Sequence, residues 1–385
     1  MKQGVNGDLI MIRKITFSMI FLLAIFGLFS TSFAQKNSFS ERLSETIPKL
    51  LETSKSQGVA VGIIEGGKTI LLRGYGKADV KTNRQMTADT IINVASISKP
   101  VTTWGILRLV ENEKLNLDAP INPLLKNWSL PKSEFDNNQV TFKRLLSHTA
   151  GTSVAAVPWF SMDSKLPTLL EVLNGKAGEK GAVKVEKEPG KAWSYSGGGY
   201  AILQFWIEEQ TNKTLNDYMK NEVFKPLGMR KTDYSANQQT AILYDENGNP
   251  IAPYQVIAES AGGLNTTARD FVELLKAYFL TNRGQKKIIS PESFKAMITP
   301  IAKVELEGVS SAMYGLGHGV HQTKSGDTIV YHSGGNPGVR AYFLVSLKKG
   351  NGLFVVANSD NSVPVLQEII RLWGEHNQTD LQPVY

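Results

Sequence analysis

Apolar runs of strand length lie toward the two ends of this chain and are nearly absent from its middle. Residues 59–64 and 69–72 are such runs, and they flank Glu65-Gly66-Gly67-Lys68, where a glycine pair between apolar segments signals a hairpin. Comparable runs return at 314–320, 327–331, 341–347 and 352–357, each broken by Gly, Asn or Lys. From 96 to about 294 the apolar residues recur instead at helical intervals, as in 142–146, 200–209, 215–224 and 268–280. Residues 40–51 predict an opening helix and 363–373 a closing one. Sequential strands close enough to pair antiparallel, with helices gathered in one stretch, predict an α/β chain of the α+β type. Its antiparallel sheet, flanked by helices, comes from 35–95 and 295–385, and a mostly helical insertion spans 96–294. At 385 residues the chain can bury a substantial core, as one large domain or two intimately packed ones.

The amino end has a different composition. Arg13 and Lys14 precede an apolar run over 15–29, and Ser32-Phe33-Ala34 supplies the small residues a signal peptidase reads. We expect residues 1–34 to be a signal peptide cleaved after Ala34, with either Met1 or Met11 as the start. The run falls short of the roughly 20 residues a bilayer span needs, so no stable membrane anchor is expected. There is no cysteine, hence no disulfide, thiolate zinc site or lipid-bearing residue at the cleavage point. A soluble periplasmic or secreted protein follows. Losing residues 1–34 removes three basic residues and one acidic one, reducing a formal charge of +7 only modestly. Basic and acidic residues are interspersed, without a basic stripe, so nucleic acid is not an expected partner.

The chemistry is concentrated in three short segments. Ser96-Ile97-Ser98-Lys99 opens the apolar stretch 101–110 with Pro100 beside it, as suits a helix's first turn. Helical i, i+3 spacing puts the Ser96 hydroxyl and the Lys99 amine on one face. A serine hydroxyl needs a neighbouring base to attack a carbonyl, and a helix start offers N–H groups suited to a developing oxyanion. Two other Ser-x-x-Lys copies, at Ser129 and Ser346, lie in a Pro131-containing loop and at the end of a strand-like run. Neither is placed for catalysis. The second segment is Trp193-Ser194-Tyr195-Ser196-Gly197-Gly198-Gly199, which sets Tyr195 on a turn before a helix. A nearby cation such as Lys99 would lower its phenol toward general-base use. The third is His332-Ser333-Gly334-Gly335-Asn336-Pro337-Gly338, at the end of a β-patterned run. Glycine there lets a substrate lie close, the Gly335 N–H offers a second oxyanion donor, and His332 can donate to a substrate carboxylate or tune the proton network.

These pieces, in this order, resemble the serine β-lactamase and penicillin-binding superfamily, in its class C β-lactamase, DD-peptidase and esterase branch. Supporting phrases are Leu145-Leu146-Ser147-His148-Thr149-Ala150-Gly151, Pro226-Leu227-Gly228-Met229 and Ala261-Gly262-Gly263-Leu264 with Thr266, Thr267 and Asp270. The resemblance implies a β-lactamase/transpeptidase-like fold, Ser96 as nucleophile, Lys99 as its proton partner, Tyr195 as a shared base or acid, and Gly335 completing the oxyanion hole. Two positions depart from the family pattern. Gly197 stands where an asparagine often completes Tyr-x-Asn, and His332 stands where many relatives have lysine. Both weaken the case for efficient β-lactam hydrolysis and leave acyl-enzyme chemistry intact.

Four further residues have smaller parts. His148 is expected to tie a loop near the site, and Arg340 is a candidate contact for a substrate carboxylate. His318 and His321 would point to opposite faces of a strand, so no metal or other cofactor is expected. The reading is an exported serine hydrolase acting on D-amino-acid peptides, esters or β-lactams. Its rival is a binding protein of the same fold that senses or traps such molecules.

Overall fold

The structure, a computed structural model, describes residues 38–178, 180–235, 239–304 and 312–379. The chain resolves into two compact units, Met1–Arg42 and Leu43–Tyr385. Of the first, the described residues begin the opening helix, α1 (Phe39–Ser54); the signal peptide expected at 1–34 lies outside the described residues.

In the second unit the strands of the main sheet come from both ends of the sequence. Strands β1 (Gly58–Glu65) and β2 (Lys68–Asp79) pair with Glu65 opposite Lys68, leaving Gly66 and Gly67 as the whole loop. Their φ angles of 54° and 78° are what a tight hairpin turn needs, and glycine adopts them without a Cβ clash. The short strands β3 (Arg84–Gln85), β4 (Ile92–Asn93), β5 (Trp159–Ser161), β6 (Tyr254–Val256) and β7 (Asn265–Thr266) follow. After them come β8 (Ala302–Lys303), β9 (Met313–Tyr314), β10 (Gly319–Gln322), β11 (Thr328–Asn336), β12 (Val339–Ser346) and β13 (Asn351–Ala357). The described residues form a nine-stranded antiparallel sheet in the order β3-β2-β1-β13-β12-β11-β10-β9-β8.

Two expectations about strands are corrected. The run at 314–320 is not one strand: the chain turns between β9 and β10, with Gly315 N–H donating to the His318 carbonyl at 2.9 Å. Gly317, at φ 79°, is forced by contact, since a Cβ there would come 2.3 Å from Thr103 Oγ1. The run at 327–331 continues to Asn336, so the His332-Ser333-Gly334-Gly335 segment lies within the strand rather than at the end of it. Pairing with β12 along its whole length carries β11 through the two glycines.

The helices are α2 (Ser98–Asn112), α3 (Phe142–Leu146), α4 (Leu169–Leu173), α5 (Gly197–Thr211), α6 (Leu215–Met219), α7 (Lys225–Leu227), α8 (Glu259–Gly262), α9 (Ala268–Asn282), α10 (Pro291–Ile298) and α11 (Val363–Asn377). The helical run expected at 215–224 is α6 continued by a π-helical turn, Lys220–Phe224. The Thr267 hydroxyl caps α9 by accepting Asp270 N–H at 3.0 Å, an interaction worth about 1 kcal/mol. Strands β1, β12 and β13 are buried along nearly their whole length, as strands covered on both faces must be. Helix α9 lies on them through Phe271, stacked on Phe354 at 4.0 Å, and α11 packs on β12 and β13. Trp104 of α2 is fully buried against Tyr278 and Phe294, which fixes α2 and the turn that precedes it.

Candidate active site

Ser96 sits in a single 3-10 turn, Ala95–Ile97, immediately before α2. The turn is held from several directions. Ala95 has φ 48°, a conformation that a non-glycine residue rarely adopts, and its N–H donates to Asn93 Oδ1 at 2.9 Å. Ser98 Oγ donates to the Ala95 carbonyl at 2.6 Å and accepts Leu264 N–H at 2.9 Å. Ser98 is therefore structural, and Ser96 is the half-buried hydroxyl of the pair.

One helical turn on, Lys99 is 2% exposed. Its Nζ donates to Ser96 Oγ at 3.2 Å and to the Ala261 carbonyl at 2.7 Å. It also lies 4.7 Å from the centre of the Tyr195 ring. Among the described residues no carboxylate offsets the charge there, and burial pushes the lysine down to about 7.

Tyr195 lines the same cavity as Ser96, and the Ser96 side chain acts on its phenol. The expectation that neighbouring cations lower its phenol is overturned. Burial dominates and raises it well above its ordinary value, the neighbouring Ser96 side chain offsetting only part of the rise. The residue is a neutral hydroxyl. Its position is set by the start of α5, where Ser196 Oγ accepts Gly199 N–H at 2.9 Å, and by His148. His148, itself at φ 59°, accepts Ser196 N–H on Nδ1 at 3.1 Å and lies 4.4 Å from the Tyr195 ring. The neutral ring then carries its proton on Nε2, a buried atom without a hydrogen-bond partner among the described residues.

Strand β10 pairs with β11 only over residues 328–331, so the segment 332–336 has one edge free beside the Ser96 turn. Gly334 is required by that approach: a Cβ on it would lie 2.3 Å from the Val94 carbonyl. At Gly335 a Cβ would meet nothing nearer than Arg340 Nη1 at 3.8 Å, so the space there is open.

His332 is placed differently from the free donor expected of it. Its Nδ1 lies 2.5 Å from the Ser333 carbonyl and its Nε2 3.1 Å from the Tyr314 hydroxyl. A carbonyl only accepts, so Nδ1 bears the proton and Nε2 accepts from Tyr314. Burial foremost, with the Lys99 charge second, pushes the ring down to about 3.

Ser96, Tyr195, His332 and Gly335 line one cavity of about 320 Å³, with Lys99 behind Ser96. Among the described residues the rest of its lining is Trp193, Val304, Ala312, Tyr314, Gly319, Tyr331 and Ser333. Three residues named from the sequence are not part of it. Gly334 faces Val94. Gly197 faces the 155–157 segment, where a Cβ would come 2.8 Å from Val157 Cγ1. Arg340 pairs with Asp360 at 2.9 Å and donates to the Asn336 and Val339 carbonyls at 2.9 and 2.7 Å. Its guanidinium is committed within the chain. Sequence reasoning missed Tyr331 and Tyr314. Strand alternation could have found the first, since Tyr331, Ser333 and Gly335 fall on one face of β11; Tyr314, in a two-residue strand, offered no periodic signal.

Among the described residues no group of three or more His, Asp or Glu side chains could hold a metal ion. His318 is buried, its Nδ1 2.7 Å from the Leu316 carbonyl and its Nε2 on the Tyr278 hydroxyl. No described helix is long and apolar enough to cross a membrane.

A serine on a constrained turn, its lysine one helical turn on and a tyrosine from a second segment are what the motif resemblance implies. The Beta-lactamase family profile matches residues 43–378, most of the chain, and the chain belongs to that family. It is 24% identical over 340 residues to Protein flp of Staphylococcus aureus (strain MRSA252), a match covering 86% of this chain and 66% of that protein. The chain thus spans just under two thirds of the length of this relative. Among solved structures, the octameric penicillin-binding protein homologue from Pyrococcus abyssi superposes with TM-score 0.71 at 26% identity, covering 88% of this chain and 77% of that one. The D-amino acid amidase from Ochrobactrum anthropi SV3 superposes with TM-score 0.70 at 23% identity, covering 88% and 98%. The fold is that of the β-lactamases and their transpeptidase relatives.

Proposed function

We propose that this chain is a serine hydrolase that cleaves amide or ester bonds through an acyl-enzyme on Ser96. The observation that carries the reading is the 3.2 Å approach of Lys99 Nζ to Ser96 Oγ, with Tyr195 on the wall of the same cavity as the serine. A lysine brought down to about 7 has a free lone pair near neutral pH. Ser96 Oγ attacks the substrate carbonyl carbon while its proton passes to Lys99, directly or across the Tyr195 hydroxyl. The carbonyl electron pair moves onto oxygen, where the N–H groups of Ser96 and Gly335 stabilise it. Collapse expels the amine or alcohol, which leaves with the proton held by Lys99 and Tyr195, and water repeats the sequence on the acyl group.

The family's amidase and penicillin-binding members support amide chemistry, and D-amino-acid peptides, esters and β-lactams are the candidate substrates. Ser96→Ala should abolish hydrolysis of a nitrophenyl ester while leaving thermal unfolding unchanged, and mass spectrometry should find the acyl group on the Ser96 peptide of the wild type. Activity retained in the variant refutes the assignment. One lasting adduct without turnover identifies a trap or sensor instead. Export belongs to the same proposal: the mature amino terminus should be Gln35, and a secreted product that keeps residues 1–34 would refute it.

A further inference from the structure

The cavity beside Ser96 is walled by aromatic and apolar side chains. Trp193, Tyr314 and Tyr331 supply aromatic side chains, Val304 and Ala312 add apolar ones, and among the described residues no charged side chain lines it. The two groups that could have met a substrate carboxylate are spent inside the chain. His332 gives its one proton to the Ser333 carbonyl and uses its other nitrogen to accept from Tyr314. Arg340 is held by Asp360 and two carbonyls. Lys99 is enclosed behind Ser96 and donates to Ala261. A carboxylate bound in this space would give up part of its hydration and find hydroxyls but, among the described residues, no cation, whereas an aryl or branched alkyl group would find aromatic and apolar side chains.

We propose that this cavity admits an uncharged aromatic or branched apolar group next to the scissile bond and excludes a carboxylate there, so that the substrates are neutral esters or amides. The proposal rests on the reading of Ser96 as nucleophile but makes a separate claim about the walls. Selectivity of this kind is strong because an unpaired buried charge costs far more than a missing methylene. It also follows that lysine at position 332 would supply the missing cation at the place where the histidine ring now closes on its own backbone.

The test measures dissociation constants by calorimetry for 2-phenylethylboronic acid and 2-carboxyethylboronic acid, which carry the two kinds of substituent on one serine-directed group. The wild type should bind the phenyl compound at least tenfold more tightly, and His332→Lys should shrink or invert that ratio. Equal or tighter binding of the carboxyethyl compound by the wild type overturns the proposal, as does failure of the phenyl compound to bind. The wild-type ratio decides even if the lysine variant does not fold. Ser96→Ala separates the two claims: binding of both compounds unchanged in that variant counts against the nucleophile, while their ratio still reports the walls.

Discussion

Lys99 Nζ lies between two oxygens, 3.2 Å from Ser96 Oγ and 2.7 Å from the Ala261 carbonyl. The carbonyl only accepts, so one lysine N–H is always directed there. The remaining positions on nitrogen face the serine, and loss of one proton converts a donor toward Ser96 into a lone pair toward it. This geometry changes the role of Lys99 by titration alone, without a movement of the chain.

The rate of acylation should therefore follow the state of that amine. Burial brings Lys99 down to about 7, and the neutral form is the base. kcat/KM should rise roughly tenfold per pH unit below that value and level off above it. Tyr195, raised by burial well above its ordinary value, adds no falling limb near neutral pH. Lys99→Arg holds a positive charge at every accessible pH and should lower kcat/KM by about 10²-fold or more. A profile flat through pH 7, measured with a nitrophenyl ester, would count against Lys99 as the base.

Tyr195→Phe isolates the phenol from the ring. The ring packs against His148 and the lysine ammonium, contacts phenylalanine keeps. The lost hydroxyl is one of two groups able to carry the serine proton. kcat should fall by about 10²- to 10⁴-fold, with KM and the unfolding midpoint little changed. A large shift in melting temperature would instead show that the hydroxyl serves packing.

Adjacent glycines on β11 should respond in opposite ways. In Gly334→Ala the new methyl meets the Val94 carbonyl at 2.3 Å, an atom of the backbone just before Ser96. The strand or the turn must yield, at a cost of about 1–3 kcal/mol in stability and with loss of activity. In Gly335→Ala the nearest atom is 3.8 Å away, so stability should hold while turnover changes because the methyl stands beside the site. Urea unfolding and ester kinetics on both variants check this. Equal destabilisation of the two would show that the strand does not lie where it is described.

The contrast between these glycines also shows where the sequence was readable. Ser96 and Lys99 were legible because helical spacing converts sequence distance into spatial proximity. The Gly66-Gly67 hairpin was legible because a turn that needs two left-handed residues leaves few alternatives. The hydrogen bonding of His332 is not legible in the sequence, because one of its partners is Tyr314, a residue that the turn between β9 and β10 brings in from another part of the chain, and because its burial is set by packing. The direction of the Tyr195 shift failed for the same reason: the sequence supplies a cation nearby, while only packing reveals how completely water is excluded. Arg340 was drawn away by Asp360, a pairing across the end of the sheet that no local pattern encodes.

Gly197 supplies the last prediction, because there the family pattern and the packing of this chain give opposite advice. By pattern, asparagine at this position would restore an amide near Lys99 and favour penicillin hydrolysis. By packing, the first side-chain carbon would come 2.8 Å from Val157 Cγ1 and 3.3 Å from the Ala155 carbonyl, while Gly197 N–H already donates to that carbonyl at 3.1 Å. Valine has little χ1 freedom with which to retreat, and the adjoining Gly198 is pinned as closely, its Cβ position lying 2.6 Å from the Ser153 carbonyl. Gly197→Asn should therefore push the 153–157 segment away from α5, lower stability by about 1–3 kcal/mol, and leave penicillin hydrolysis no faster than in the wild type. Pairing it with Val157→Ala should recover part of the stability, since that removes the atom in the way. A single Gly197→Asn variant that melts at the wild-type temperature and hydrolyses a chromogenic cephalosporin faster would show that the family pattern, rather than the 153–157 contact, governs this position.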